Sequence, residues 1–597
     1  VTTGIENTFL GYYAGAATTT ANYNVAVGSS ALQTNTTGAN NIAIGRTALY
    51  ANTTASSNVA VGYEAGKDVT TGASNVLVGR EVGAEATTGS FNTAIGHQAY
   101  AAGSASAATG SNNVAVGYGA LYKATTADAN VAIGQYALLE NTTGNTNVAI
   151  GKYALDANTT ADENVAVGYY ALSANTTGHS NVGVGRGALQ ANTTASNNTA
   201  VGTNSLTANT TGSENTAMGS SALAAVTTGN YNIAVGDEAG AALVSGTENT
   251  FMGFLSGRYT GSSDHPDYNT GFGSRTLYAN TTGERNVSMG AYSLNQNTTA
   301  SDNTALGYNS LYANTTGTKH TAVGSGALSA CTASEDNTAV GYSAANDVTT
   351  GTQNTALGSF ALAVATTGSW NTALGYGALD SATTSGSNTA IGGNCMHAIT
   401  DGAENVGIGK SSGDDITGGN GNVCIGVDTA QSLTTGGNNI FIGRSTTTSG
   451  GSHDTQIVIG YNLTSKGAST GFISAGGGGN YAGNNSSSWS TTSDRRIKKN
   501  IEDNTTGLDA INGIRVRNFE YRTKDEITDF DNPDAAVVER EGLQLGVIAQ
   551  EIEEVLPDVV TTLDSGVKSV DPDNITWYLV NAVKELSAKV EELENKE

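Results

Sequence analysis

"NVAVGYYALSANTTGHS", residues 164–180, is one unit of a repeat: the next seventeen residues, "NVGVGRGALQANTTASN" (181–197), follow the same plan. The phrase N-[V/T/I]-A-[V/I/L]-G recurs with its Gly at 11, 28, 45, 62, 79 and 96, then at every seventeenth residue from 117 to 253 and from 273 to 460. Only two steps depart from this period: 96 to 117 holds four extra residues and 253 to 273 holds three. Seventeen residues are too few for a helix pair and suit one coil of a β-solenoid, expected here to consist of two short strands and two turns. Twenty-seven coils at about 4.8 Å each give a shaft on the order of 130 Å long.

Each column of the repeat carries an expectation. The residue before the repeated Gly is apolar in every coil, as in Val27, Ile44, Met218 and Phe272, and is expected to point into the coil. Ala two places before the Gly (Ala26, Ala43, Ala60, Ala115) then falls on the opposite, outer face, where a small side chain suits close packing against another chain. The Gly marks a backbone with positive φ or a close approach of other backbone. Asn opens 25 of the 27 coils, His320 and Gln456 being the exceptions, and stacked amides can hydrogen-bond along the axis. The N-T-T columns, for instance Asn280-Thr281-Thr282, are expected to display Thr to solvent. Thin Ala- and Val-based coils bury little apolar area, and 78 Gly raise the entropy cost of order, so several rods are expected to associate.

The N-V-A-V-G-x-x-A-L phrase resembles the parallel β-roll of trimeric autotransporter adhesin heads, whose repeat is about three residues shorter. The resemblance implies a mostly β, trimeric β-solenoid over residues 1–460. Residues 461–492, including "GFISAGGGGNYAGNNSSSWS" (471–490), fall outside the repeat and read as a Gly/Ser-rich cap or tip.

Charge divides the chain at the next seam. Of 26 Lys/Arg and 52 Asp/Glu in the chain, 13 and 24 lie in residues 494–597, leaving 13 and 28 for the 493 residues before them. A net charge of −26 argues against nucleic acid or an anionic membrane as partner. The longest apolar runs are too short to span a bilayer, so no membrane insertion is expected. Cys331, Cys395 and Cys424 are far apart and lack CxxC spacing, which suggests neither a disulfide framework nor a zinc site. No cofactor is read from the sequence. The chain starts in the middle of a repeat, at "TTGIEN" (2–7), so the native protein is expected to continue upstream.

From Ser493 the motifs "SDRRIKKNI" (493–501), "LDAINGIRVRNFEY" (508–521), "GLQLGVIAQEIEEVLPDVV" (542–560) and "LVNAVKELSAKVEELE" (579–594) follow in order. Together they resemble the C-terminal intramolecular chaperone of endosialidase-type phage tailspikes and tail fibres, a self-cleaving peptidase family. The resemblance implies a small α+β domain at 493–597 that aligns three chains and then cuts itself off, with Ser493 and Lys498 as the catalytic pair. It also implies a homotrimeric phage fibre or spike on the virion, with a bacterial surface glycan or protein as receptor. A bacterial surface adhesin trimerised in the same way, and a glycan-degrading tailspike, are the alternatives.

The chemistry is sound on general grounds. A Ser hydroxyl needs a base to become a nucleophile, and Lys serves only when neutral; the neighbouring Arg495, Arg496 and Lys499, with burial on assembly, favour that form. Attack within one chain on the Thr492 carbonyl closes a five-membered ring, whereas attack from a neighbouring chain also permits cleavage of Ser493–Asp494. The simpler reading of the same letters is that Ser493 and Asp494 cap a turn and the cations face water. Leu579, Val583, Leu586, Val590 and Leu593 are spaced 4, 3, 4 and 3, a short heptad seam that makes 575–597 a coiled-coil helix.

Candidate ligand contacts are Tyr481 and Trp489 in the cap, and His265 and Asp267 in the longer insertion "RYTGSSDHPDYN" (258–269). A glycan hydrolase would need two carboxylates about 5 to 9.5 Å apart, yet Glu140, Glu163, Glu214 and Asp302 are scattered and Asp414-Asp415 is an isolated pair. No enzyme activity on an external substrate is expected.

Overall fold

Each coil contributes one strand, three residues long in all but the last, and it pairs in parallel with the strand of the next coil, typically seventeen residues on: Val165 lies opposite Val182, Ala166 opposite Gly183 and Val167 opposite Val184. The structure, a computed structural model, describes residues 2–103, 107–261, 266–474, 480–482, 493–528, 538, 540–563 and 566–596. The chain forms two compact units, Val1–Thr492 and Ser493–Glu597.

In the first unit the strands run from β1 (Thr8–Leu10) to β27 (Ile457–Gly460), one for each of the 27 coils expected from the sequence. The two long steps leave the register intact, with Thr93 opposite Val114 and Thr250 opposite Thr270. The ladder also continues past the last repeat. β27 pairs in parallel with β28 (Gly471–Ser474), which pairs antiparallel with β29 (Asn480–Ala482). One strand per coil replaces the expected two. The remaining turns hold three non-Gly residues at positive φ in a typical coil, Tyr170 (57°), Leu172 (52°) and Ser180 (56°).

The faces of the strand are the reverse of those expected. Ala26, Ala43, Ala60 and Ala115 are buried in the coil, while the residue before the Gly looks outward, with Ile44 40%, Met218 45% and Phe272 50% exposed. The cause is the width of the coil. Leu172 folds across the interior, and a Cβ built on Gly183, which stands in the Ala column, would already lie 3.3 Å from Leu172 Cγ. An Ala methyl fits that gap; the extra methyls of Val would not. Larger inner residues occur where the Leu column is vacated. Leu77 is accommodated by Gly66 and Gly83, where an added Cβ would sit 2.7 and 2.9 Å from it, and Phe251 by Gly257, where the distance would be 2.5 Å. Leu can hold the left-handed backbone at this column because it is unbranched at Cβ; Val and Ile are strongly disfavoured there. Complete burial of its side chain, worth about 1.5–3 kcal/mol, offsets the strain.

The repeated Gly meets both expected conditions. At Gly28 φ is +136°, and a Cβ would fall 2.5 Å from the Gly45 carbonyl oxygen in the next coil. The Asn ladder also forms: Asn24 Oδ1 accepts the Asn41 backbone N–H (2.9 Å) and its Nδ2 (3.1 Å), and Asn41 Nδ2 donates to the Ala55 carbonyl (2.9 Å). A second, unforeseen ladder is made by the Asn of N-T-T, as where Asn158 Nδ2 donates to Asn141 Oδ1 (2.8 Å) and to the Ala161 carbonyl (3.0 Å). The first Thr of N-T-T is not free for display: Thr36 Oγ1 donates to the Thr53 carbonyl at 3.0 Å.

His320 replaces Asn without breaking its ladder. Its Nδ1 accepts the Asn337 N–H (3.2 Å), Nε2 lies 2.9 Å from the Ser334 carbonyl, and its own N–H donates to Asn303 Oδ1 (2.9 Å). An acceptor at Nδ1 and a carbonyl beside Nε2 define a neutral imidazole protonated on Nε2. Burial lowers its pKa to about 4. Cys331, Cys395 and Cys424 are free and buried; burial pushes the Cys395 thiol up to about 12.

The second unit is small. Helix α1 (Leu508–Gly513) is followed by β30 (Arg517–Phe519), antiparallel to β31 (Gln544–Gly546). Helix α2 (Ala549–Glu553), β32 (Val560–Thr562), β33 (Lys568–Val570) and the long α3 (Pro572–Glu594) complete it. Its core centres on Ile552, Leu556, Val559 and Tyr578. Helix α3 starts three residues before the expected 575, because Pro572 occupies its first turn and Asp571 caps it, accepting the N–H groups of Asp573 and Asn574. Among the described residues no helix is long and apolar enough to cross a membrane.

Candidate self-cleavage site

The five-residue spacing of Ser493 and Lys498 is converted to contact by one tight turn. Arg495–Ile497 form a 3₁₀ turn, with Asp494 as its cap; Asp494 Oδ1 accepts the Arg496 N–H at 2.8 Å. The Arg496 guanidinium also grips that carboxylate, Nη2 to Oδ2 at 2.5 Å. These hydrogen bonds hold the Asp494 carboxyl below the usual carboxylate range. Lys498 leaves the turn in an extended conformation, its N–H donating to the Arg495 carbonyl at 3.3 Å, and its Nζ comes within 2.8 Å of Ser493 Oγ. That distance allows direct proton transfer between a Ser and a Lys. Capping by Asp494 and the Ser–Lys contact are therefore compatible parts of one turn. Both Ser493 and Lys498 are exposed in the single chain.

Beyond the turn, the strap leading to α1 is tied to α3. The Leu508 N–H donates to Glu585 Oε2 at 2.9 Å, and Asn581 Nδ2 donates to the Asn504 carbonyl at 2.8 Å. Arg517 makes a two-pronged ion pair with Glu551, at 2.7 and 3.1 Å. No sequence pattern marks Glu585 or Asn581, which stand between the heptad positions. Among the described residues the heptad positions find no cover: Leu579 is 49% exposed, Val583 55% and Leu593 66%.

Of the other sequence candidates, Thr492, Trp489 and His265 lie outside the described residues. Tyr481 takes its place in β29. Asp267 has a structural bond, its Oδ1 accepting the Thr247 N–H at 2.7 Å, as Asp128 and Asp162 do for Ser111 and Asn145.

Residues 493–561 match the family described as chaperone of endosialidase. No curated protein and no solved structure matches the chain. A long β-solenoid that leads into this domain fits a protein of the tail fibre or tailspike kind.

Proposed function

We propose that this chain is the shaft of a homotrimeric phage tail fibre or spike, carried on the virion and used to attach to a bacterial surface. Its C-terminal domain aligns three chains and then detaches by cutting beside Ser493. The observation that carries this reading is the family match, which opens at Ser493 at the end of a solenoid. Support for three chains comes from the outward strand columns, which hold only aliphatic residues, Met, Phe and Thr in all 27 coils and no charge. A stripe of that length, with Ile95, Ile150 and Ile233 among its exposed side chains, needs cover. The bare heptad seam of α3 supports the same conclusion.

In the cleavage step, neutral Lys498 removes the Ser493 hydroxyl proton and the oxygen attacks the carbonyl carbon on one side of Ser493. The peptide C–N bond breaks, the new amine takes the proton, and water hydrolyses the resulting ester. Ser493 and Lys498, exposed in the single chain, would be covered on assembly, so cleavage is expected to follow trimerisation. Denaturing electrophoresis tests the assignment. Wild type is expected to lose about a hundred residues, while Ser493→Ala and Lys498→Ala remain full length; equal cleavage in all three would end the assignment.

A further inference from the structure

Stacked seventeen residues per row, the column directly after the repeated Gly departs from the rest of the shaft. Six of the 13 Lys/Arg in residues 1–493 occupy it, along with nine Tyr or Phe, and it holds one acid, Asp237. In nine consecutive coils, from Arg46 to Arg186, it reads Arg, Tyr, Arg, His, Tyr, Gln, Lys, Tyr, Arg. At one coil every 4.8 Å or so this stretch is roughly 40 Å long. The whole-chain charge of −26 conceals it, because the cations are seventeen or more residues apart in sequence.

The structure joins this column and the next into a continuous edge, the ladder passing from His97 and Tyr118 in this column to Tyr136, Tyr153 and Tyr170 one place later. His97, Tyr118, Tyr136, Tyr153 and Tyr170 form an unbroken aromatic ladder, with centroid separations of 5.2, 5.0, 5.5 and 5.0 Å. Tyr169 packs edge-on against Tyr170 at 4.2 Å, and Lys152 Nζ lies 5.0 Å from the Tyr153 ring. Tyr118 and Tyr169 remain 40% and 43% exposed, and Lys152 and Arg186 are exposed. The N-terminal part of the edge is partly neutralised, since Arg80 pairs with Glu81 at 2.9 Å. Between Tyr118 and Arg186 neither this column nor the next contains an acid.

Asp156 stands five residues after its repeated Gly, a position next to the Tyr153 column: in a later coil the equivalent Gln190 Oε1 lies 3.3 Å from where a Cβ on Gly187, in that Tyr column, would sit. Asp156 is half-buried, and its Oδ1 is shielded from solvent without a hydrogen-bond partner. The Tyr170 phenol is raised, first by its hydrogen bond with Tyr169 and last by the Asp156 charge. An unpartnered acceptor next to aromatic rings and cations calls for a ligand that brings a hydroxyl donor, an apolar ring face and an anionic group together.

We propose that the edge from Tyr118 to Arg186 binds a linear acidic polysaccharide, whose carboxylates pair with Lys152 and Arg186, whose ring faces lie on Tyr118 and Tyr169, and one of whose hydroxyls donates to Asp156. A sister chain is a poor occupant. The outward strand columns, which the trimer would bury, carry no charge, and three copies of this column brought together would set cation against cation. DNA and acidic peptide supply the charge but not a hydroxyl-bearing ring at each step. This inference deepens the attachment reading and rests on it for where the polysaccharide is found, on a bacterial surface.

Affinity electrophoresis of the mature shaft in native gels containing polygalacturonate, alginate or hyaluronate tests it, with dextran as neutral control and poly-glutamate and oligodeoxythymidylate as other polyanions. Retardation is expected in at least one acidic polysaccharide and not in dextran. Lys152→Ser/Arg186→Ser and Tyr118→Ser/Tyr169→Ser should each weaken it at least tenfold. Ser already stands in this column at 29, 220 and 274, so both variants are expected to fold, which unchanged melting would verify. No retardation in any of the three, retardation indifferent to both double variants, or equal binding of poly-glutamate or the oligonucleotide through the same residues would overturn the proposal. Polysaccharide binding by a protein that fails to compete with phage adsorption would instead end the attachment reading and leave the edge standing.

Discussion

His320 should make one point on the shaft acid-sensitive. In the closed coil its imidazole is neutral, because burial lowers its pKa to about 4; in an opened coil it returns to about 6.5. Above pH 6.5 both states are neutral and the His has no effect on the pH dependence. As pH falls from 6.5 towards 4, only the opened state takes up the proton, so opening becomes easier; below 4 the closed state titrates too and the effect levels off. A difference of about 2.5 units corresponds to about 3 kcal/mol, or roughly 300-fold in the opening equilibrium. Protonated Nδ1 also cannot accept the Asn337 N–H, so the loss is local. Hydrogen exchange by mass spectrometry, corrected for the intrinsic pH effect, would compare peptides covering 320–337 with those covering 354–371, where Asn337 Oδ1 and Asn354 Oδ1 accept the next N–H groups at 2.9 and 3.0 Å. Protection should fall in the first group alone between pH 6.5 and 4, and His320→Asn, the residue in 25 other coils, should abolish the fall. Parallel behaviour of the two groups, or an unchanged profile in His320→Asn, would refute the reasoning.

Gly257→Ala places a methyl 2.5 Å from the Phe251 ring at φ +62° and should cost about 1–3 kcal/mol in urea unfolding; Phe251→Ala should relieve the clash, giving strong non-additivity in the double-mutant cycle. Asn158→Asp removes the donor to Asn141 Oδ1 and the Ala161 carbonyl and sets a carboxylate against both, at about 3 kcal/mol or more, to be read as new proteolytic cutting near that coil. Val167→Asp puts a charge on the outward strand face, and light scattering should then show a lower oligomeric state than in wild type. A variant that remains a trimer of unchanged stability would remove that face from the proposed interface.

What could be read from the sequence was whatever recurs in one column. The period, the 27 coils, the Gly at each strand end and the Asn ladder each depend on a residue type returning every seventeen places, and a parallel register stacks such residues directly. The facing of the strand could not be read the same way. Alternation says that Ala166 and Val167 point in opposite directions, but which is inside depends on the width left by Leu172, six residues after Ala166 on a backbone with positive φ. No local pattern reports that width. The exchange of Leu for Gly at 66 and 83 around Leu77 did report it, and reading the columns in pairs would have fixed the facing.

The same reversal changes what would drive association into the proposed trimer. With Val, Ile and Met inside, the coil would already own most of its apolar surface, and association would only add to a stable rod. With Ala and Leu inside, the larger aliphatic side chains are left on the outer face of every coil, and leaving a stripe of that length bare would invite lateral aggregation before partners are found. A chaperone joined to the end of the shaft answers this problem. In the proposed trimer it would hold three copies in the same register, so that each coil meets its equivalents rather than slipping by one step of about 4.8 Å, a slip that a uniform repeat would otherwise tolerate. On the same proposal, its removal at Ser493 would leave a shaft held by the full length of its own interface, unable to retrace the folding path once the clamp is gone.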